Sequence, residues 1–487
     1  MTDPAHSETS QPLASAELPA DHAPPPVGVA SRAVAWQVLR RVHADGAWSG
    51  PALDTALRRS DLQTRDRAFA ANLAYATLRW EGTLDWALQT VVDRPLEQVQ
   101  PEVLDVLRLG AWQLLYGAVP DRAAVGTAVD VARAEVGVQA TGFVNGVLRS
   151  LSRRKDTLPW PSEHDEPGLA LRTGYPAWVV AESVARFGDE AHAVLLAGNE
   201  PPGLTLRAVG DRDTLADELR AAGLGPRPGQ LSPEALGVRG GDPATLPAVT
   251  QGRAVVQDEA SMVVARALAA GQPHGWRALD LCAAPGGKTT HLAQLGAAVA
   301  AGELRPARAR LVAQAADRTA KAIAADHGSR ADAPNVAAFT PNAGRVLGVV
   351  AADASRPPWR AGDFDGVLLD APCTGLGVVR RRPELRWRRE AADVGRLAVL
   401  QLELLEAAAG LVRPGGVLVY SVCTWTVAET TGVISLFAAL NGDRFAEEDT
   451  AAAAGITGGD GAPAGVQLDP HHHDTDGMYL CRLRRRS

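Results

Sequence analysis

The chain is poor in cysteine: four in 487 residues, none in C-x-x-C spacing. That excludes a disulfide framework and a zinc knuckle. It fits a reducing cytoplasm, where reactive thiols stay free. No apolar run approaches the ~20 residues of a membrane span. The opening Met-Thr-Asp-Pro-Ala-His carries neither a basic stretch nor a hydrophobic signal core. The expected location is therefore cytoplasmic, with no membrane partner. Positive charge is in deficit too: 49 Lys and Arg stand against 56 Asp and Glu, a net charge of −7. The chain as a whole does not announce nucleic-acid binding. A local basic face would suffice for it, because phosphate contacts act within a Debye length of ~10 Å. Aromatics make up only 5% of the residues, although 11 of them are Trp.

What is present is an ordinary globular composition, 46% hydrophobic and 22% charged, in a chain too long for one core. Residues 1–28 are rich in Pro, Ala, Ser and Thr and are expected to form a disordered tail. Residues 29–155 carry helical spacing, with stripes such as Leu104, Leu107, Leu114 and Leu115. Little strand pattern interrupts them, so an all-α bundle is expected. A Pro- and charge-rich linker spans residues near 151–165. A small α/β subdomain follows at 166–250, with a strand read at Pro201-Pro-Gly-Leu-Thr-Leu-Arg207 and helical spacing from Asp213 to Gly223. Gln257 and Asp258 open the helix that leads into residues 251–487.

Within residues 251–487, Cys373 and Cys423 share a setting. Cys373 follows Val367-Leu368-Leu369-Asp370-Ala-Pro, and Cys423 follows Val417-Leu418-Val419-Tyr420-Ser-Val. Such short apolar runs, opened by Asp365-Gly366 and Pro414-Gly415-Gly416, predict buried parallel strands. Both thiols and Asp370 then lie past strand ends, the edge where open α/β sheets bind ligands. Two thiols and a carboxylate there point to covalent catalysis. A third strand, Ala278-Leu-Asp280-Leu, leads into Cys282-Ala-Ala-Pro285-Gly-Gly-Lys288 and a helix. Gly-Gly-Lys-Thr invites a phosphate-loop reading, but that loop needs Gly where Cys282 stands.

Together, Asp280-Leu-Cys-Ala-Ala-Pro-Gly-Gly-Lys288, Asp370-Ala-Pro-Cys373 and Tyr420-Ser-Val-Cys423-Thr resemble the motifs of RNA 5-methylcytosine methyltransferases of the RsmB/Sun type. Asp66-Arg67-Ala-Phe69, Leu109-Gly-Ala-Trp-Gln113 and Phe143-Val-Asn145 resemble the NusB-like domain that precedes the catalytic domain in that type. The resemblance runs from about Arg32 to Leu483. It implies a multidomain fold: an N-terminal all-α NusB-like bundle, and a C-terminal α/β Rossmann-like domain using S-adenosylmethionine. The implied attacker on carbon 6 of cytosine is Cys423. Cys373 assists proton removal and release, and Asp370 binds the N3 and N4 edge of the base. Lys288 is implied to orient Asp370 or the nucleoside. Cofactor contacts are implied for Cys282, Ala283, Ala284, Pro285, Gly286, Gly287, Lys288, Glu303, Asp353 and Asp370. The small residues of the turn would let the backbone approach the ligand, and the helix N-terminus would face its carboxylate. Glu303 closes a strand and would meet the ribose hydroxyls, while Asp353 marks the adenine side.

An arginine run, Arg380, Arg381, Arg382, Arg386, Arg388 and Arg389, follows Cys373. It is expected to contact the RNA backbone, chiefly through Arg380, Arg381 and Arg382, with Arg67, Arg79 and Arg149 adding contacts from the bundle. The bland alternative is a solvated helix face. Cys481 is expected in the core, and His471-His472-His473 in a loop without metal. Val422 and Thr430 depart from the family's usual Thr and Asn, whereas Glu429 matches it. A monomer acting on ribosomal RNA of the small subunit is expected. The alternatives are a transfer-RNA methyltransferase and a catalytically silent assembly factor.

Overall fold

The computed structural model describes residues 28–329, 344–456 and 465–487. The expected tail lies outside these save for Gly28. The first unit comprises the helices Val29–His43, Ser49–Arg58, Thr64–Arg79, Glu81–Gln89, Pro101–Leu115, Asp121–Val131 and Val138–Arg154. Their stripes meet in one core that includes Leu39, Leu73, Leu84, Leu107 and Leu148. The last helix runs into the stretch read as linker, because Leu151 continues the buried face of Val144 and Leu148. Asn145 sits in the middle of this helix. The buried Asp105 accepts from Arg40 and Arg108 and contacts His43, so its charge is matched within the core.

Helices Glu166–Thr173, Ala177–Phe187 and Ala191–Ala197 lead to a small antiparallel sheet. Its strands are β1 (Leu204–Ala208), β2 (Arg227–Pro228), β3 (Ala235–Val238) and β4 (Ala254–Val256), in the order β2-β3-β1-β4. The helix Arg212–Ala221, capped by Asp211, covers it with Leu215 and Leu219.

The helix Glu259–Ala269, capped by Asp258, opens the third unit. The large sheet contains β5 (Arg277–Asp280), β6 (Ala298–Glu303), β7 (Arg345–Ala351), β8 (Phe364–Asp370), β9 (Val412–Val422), β10 (Phe445–Glu447), β11 (Val466–Leu468) and β12 (Met478–Arg485). The order is β10-β12-β9-β8-β5-β6-β7, with β11 on β12. Strands β5 to β9 pair parallel, and β12 returns antiparallel along β9. The two apolar runs that precede the thiols are indeed neighbouring buried strands, β8 and β9. Chain order reverses between β5 and β8, so a crevice opens beyond Asp280 and Asp370.

Candidate active site

At that crevice Lys288 Nζ donates to Asp370 Oδ2 at 2.7 Å, and Ser421 of β9 donates to Oδ1 at 2.8 Å. Burial opposes the Lys288 charge, but Asp370 beside it holds the ammonium above its usual range. The carboxylate is thus fixed from the helix that follows β5 and from strand β9, with its side chain 28% exposed.

Cys373 and Cys423 meet with their sulfurs 3.3 Å apart. Contact with Cys423 and burial push the Cys373 thiol well up, so it stays protonated in the free protein. Beneath the sulfurs lies a polar knot. Thr374 and Thr424, each directly after a cysteine, join hydroxyls at 2.8 Å. The buried Glu429 accepts from Thr374 N and Gln401 Nε2 on one oxygen, and from the Thr374 and Thr426 hydroxyls on the other. Tyr420 donates to the Glu429 carbonyl at 2.6 Å. Stranding any one of these donors would cost about 1–3 kcal/mol. Gly377 donates to the Cys423 carbonyl. A Cβ at Gly377 would lie 1.9 Å from the Gly477 oxygen, so only glycine allows that approach.

The turn Leu281–Gly286 joins β5 to the helix Gly287–Gln294. Gly286 has φ +108°, and a Cβ there would stand 3.2 Å from Val312 Cα and 3.1 Å from Ala315 Cβ. Its smallness lets the helix Pro306–Ser329 pack against the turn, a different constraint from the expected ligand approach. The buried Asp280 accepts from Thr289 on Oδ2, while Oδ1 has no partner. Burial raises its pKa to about 7. Cys282, also at this turn, is raised by burial and neighbouring carboxylates. From the small sheet, buried Arg207 donates to Gln257, Gln294 and Thr290, bracing the helix behind the turn. Glu303 ends β6, buried, and accepts from Arg305 N. Asp353 lies two residues past β7, exposed, and ties down Ser355.

The arginine run does not form the basic face expected of it. Arg380 is 3% exposed and pairs with Asp476 and Asp474. Arg381 pairs with Asp476 and Asp258. Arg386, fully buried, donates to Arg79 O and Asn199 and lies 3.7 Å over the Tyr175 ring. Arg79 in turn donates twice to Arg380 O. Arg388 reaches the Ala47 carbonyl, and Arg382 and Arg388 both face Trp48. The side chains of Arg79, Arg382, Arg386 and Arg388 fasten the helical bundle to the catalytic unit, whereas those of Arg380 and Arg381 pair within that unit. Arg389 turns the other way and donates to the carbonyls of Cys373 and Thr374. Arg67 donates to Leu57 O within the bundle, while Arg149 and Arg382 remain exposed. His471–His473 lie in the short helix Pro470–His473 capped by Asp469, and Cys481 is buried in β12. Among the described residues no group of three His, Cys, Asp or Glu is arranged to hold a metal.

The sequence reading missed Ser421, Thr374, Thr424 and Gln401, and it gave Arg389 to the RNA rather than to the Cys373 loop. A signal existed for two of them: Cys-Thr occurs at both 373–374 and 423–424.

The chain matches three family models: 16S rRNA methyltransferase RsmB/F over residues 267–484, the NusB family over 29–153, and the RsmF/B-like ferredoxin-like domain over 175–243. A putative methyltransferase of Mycobacterium tuberculosis is 39% identical over 472 residues, covering 93% of this chain and 96% of the relative. The probable ribosomal RNA small subunit methyltransferase B of Bacillus subtilis is 32% identical over 469 residues, covering 93% and 98%. The crystal structure of PH0851 shares the fold, with a TM-score of 0.74 at 23% identity over 95% of this chain and 99% of that one. Helical front, ferredoxin-like insert and catalytic sheet are thus matched along nearly the whole length, and the chain belongs to the RsmB/F family of RNA methyltransferases.

Proposed function

We propose that this protein forms 5-methylcytosine in RNA, specifically in small-subunit ribosomal RNA, acting as a cytoplasmic monomer with S-adenosylmethionine as cofactor. The observation that carries the reading is the contact of Cys373 and Cys423 beside Asp370 at the switch point. The small-subunit name of the Bacillus relative supports the substrate.

Carbon 5 of cytosine is a poor nucleophile. Addition of the Cys423 sulfur to carbon 6 makes the base enamine-like. Asp370, fixed by Lys288 and Ser421, binds the N3 and N4 edge as charge develops. Cys373 assists removal of the carbon-5 proton, after which the Cys423–carbon 6 bond breaks. The base must leave any stack to reach the pocket. Bound cofactor supplies an electrophilic methyl group. The turn 282–288, Glu303, Asp353 and Asp370 would hold it, and the bare Oδ1 of Asp280 fits a donor from such a ligand. Arg149 and Arg382, with exposed side chains, are the backbone contacts we retain.

Cys423→Ala should abolish methylation and leave no covalent complex. Cys373→Ala should methylate once, then accumulate a protein–RNA adduct that survives denaturing gels. No adduct in either variant would favour a silent assembly factor, and an adduct only with Cys423→Ala would reverse the two roles. Bisulfite sequencing of ribosomal and transfer RNA from a deletion strain separates the substrates.

A further inference from the structure

We propose that Glu429 is a positioning residue for the thiol pair: its buried carboxylate sets the distance between Cys373 and Cys423. Each cysteine sits on its own loop, 50 residues apart in sequence. The backbone bonds that flank them run from Ala371 N to Ser421 O and from Gly377 N to Cys423 O. None among those described joins Cys373–Thr374 directly to Cys423–Thr424, so the spacing at the sulfurs depends on side chains. Glu429 supplies the largest share. Its Oε1 holds Thr374 N at 2.9 Å, which fixes the backbone next to Cys373. Its Oε2 takes the Thr374 and Thr426 hydroxyls at 2.6 and 2.9 Å, one from each loop. Gln401 completes the set by donating both to Glu429 and to the Pro372 carbonyl. The carboxylate thus ties the two cysteine loops together without a hydrogen bond to either sulfur. A carboxylate suits this place because it accepts from four donors at once, whereas an amide has one accepting oxygen.

The test deepens the proposed reaction but starts with a measurement that needs neither RNA nor cofactor. Peroxide treatment should join the two thiols, each losing one hydrogen, with the peroxide reduced to two waters. Peptide mass mapping then gives the rate of Cys373–Cys423 cross-linking, with Cys282 and Cys481 as internal controls. Glu429→Leu should slow cross-linking at least tenfold, and Glu429→Gln should restore part of it. In the presence of RNA and cofactor, Glu429→Leu should build up adduct relative to turnover, because release needs Cys373 close by. Thr374→Val, which removes the shared hydroxyl, gives the same reading if the leucine variant does not fold. Cross-linking at the parent rate in folded Glu429→Leu or Thr374→Val would overturn the proposal. So would a parent protein whose two thiols oxidise singly and never join. If cross-linking responds as expected but no RNA adduct forms in any variant, the positioning role stands and the cytosine chemistry falls.

Discussion

Asp280 carries one bonded oxygen and one bare oxygen in a buried place, and that imbalance has a pH signature. Burial raises its pKa to about 7, so near neutrality the free protein holds it partly protonated. A cationic donor from the cofactor favours the ionised form. Affinity for S-adenosylmethionine should therefore rise from pH 5.5 to 7.5, as ionisation of Asp280 becomes easier. Asp280→Asn should weaken binding and flatten that profile in calorimetry. A parent profile as flat as the variant's would remove Asp280 from the binding site. The sequence made Asp280 visible as a strand end, and Cys373, Cys423 and Asp370 visible as a constellation. It did not show that Asp280 would be left half-satisfied. That depends on Thr289, nine residues on, occupying only one oxygen.

At the level of elements, the segment 380–389 works as a seam between two units. Its positive charge was legible, but its partners were not. The acids that take Arg380 and Arg381 are Asp258, Asp474 and Asp476, each nearly 100 residues or more away, and no local pattern announces them. Replacing Arg380 and Arg381 with Ala leaves the buried Asp476 without its cationic partners, a loss on the order of 3–5 kcal/mol. The expected result is a lower thermal midpoint, with the salt dependence of RNA binding changed little. A parent-like midpoint with a shallower salt slope would return both residues to the RNA. The same distinction explains which helix expectations succeeded. Apolar stripes within one helix, such as Val144, Leu148 and Leu151, are local, whereas the end of that helix was set by packing that a linker-like composition concealed.

Across the whole molecule, the helical bundle does more than sit in front of the enzyme. Arg79 and Arg380 hold each other's neighbourhood: Arg79 donates to Arg380 O, and Arg386 returns a bond to Arg79 O. Arg79→Ala should loosen this joint by about 2–3 kcal/mol, the scale of charged hydrogen bonds. Limited proteolysis between residues 155 and 165 should then accelerate, and unfolding should separate into two transitions. A single transition at the parent temperature would show that the bundle is held elsewhere. The helical front and the α/β catalytic fold were legible because each has its own periodicity. The joints were not, since they are made of single polar side chains from distant stretches of the chain.

Strand β12 and the loop before it have a consequence for how the protein comes into being. Gly477 rests on Gly377 under Cys423, Asp476 secures Arg380 and Arg381, and β12 pairs along the outer side of β9. All of these C-terminal residues are synthesised after every other component of the site. A nascent chain that already displays the bundle, the turn after β5 and both cysteines still lacks the support beneath them. The support beneath the cysteines is therefore complete only once residues 474–485 have joined the fold.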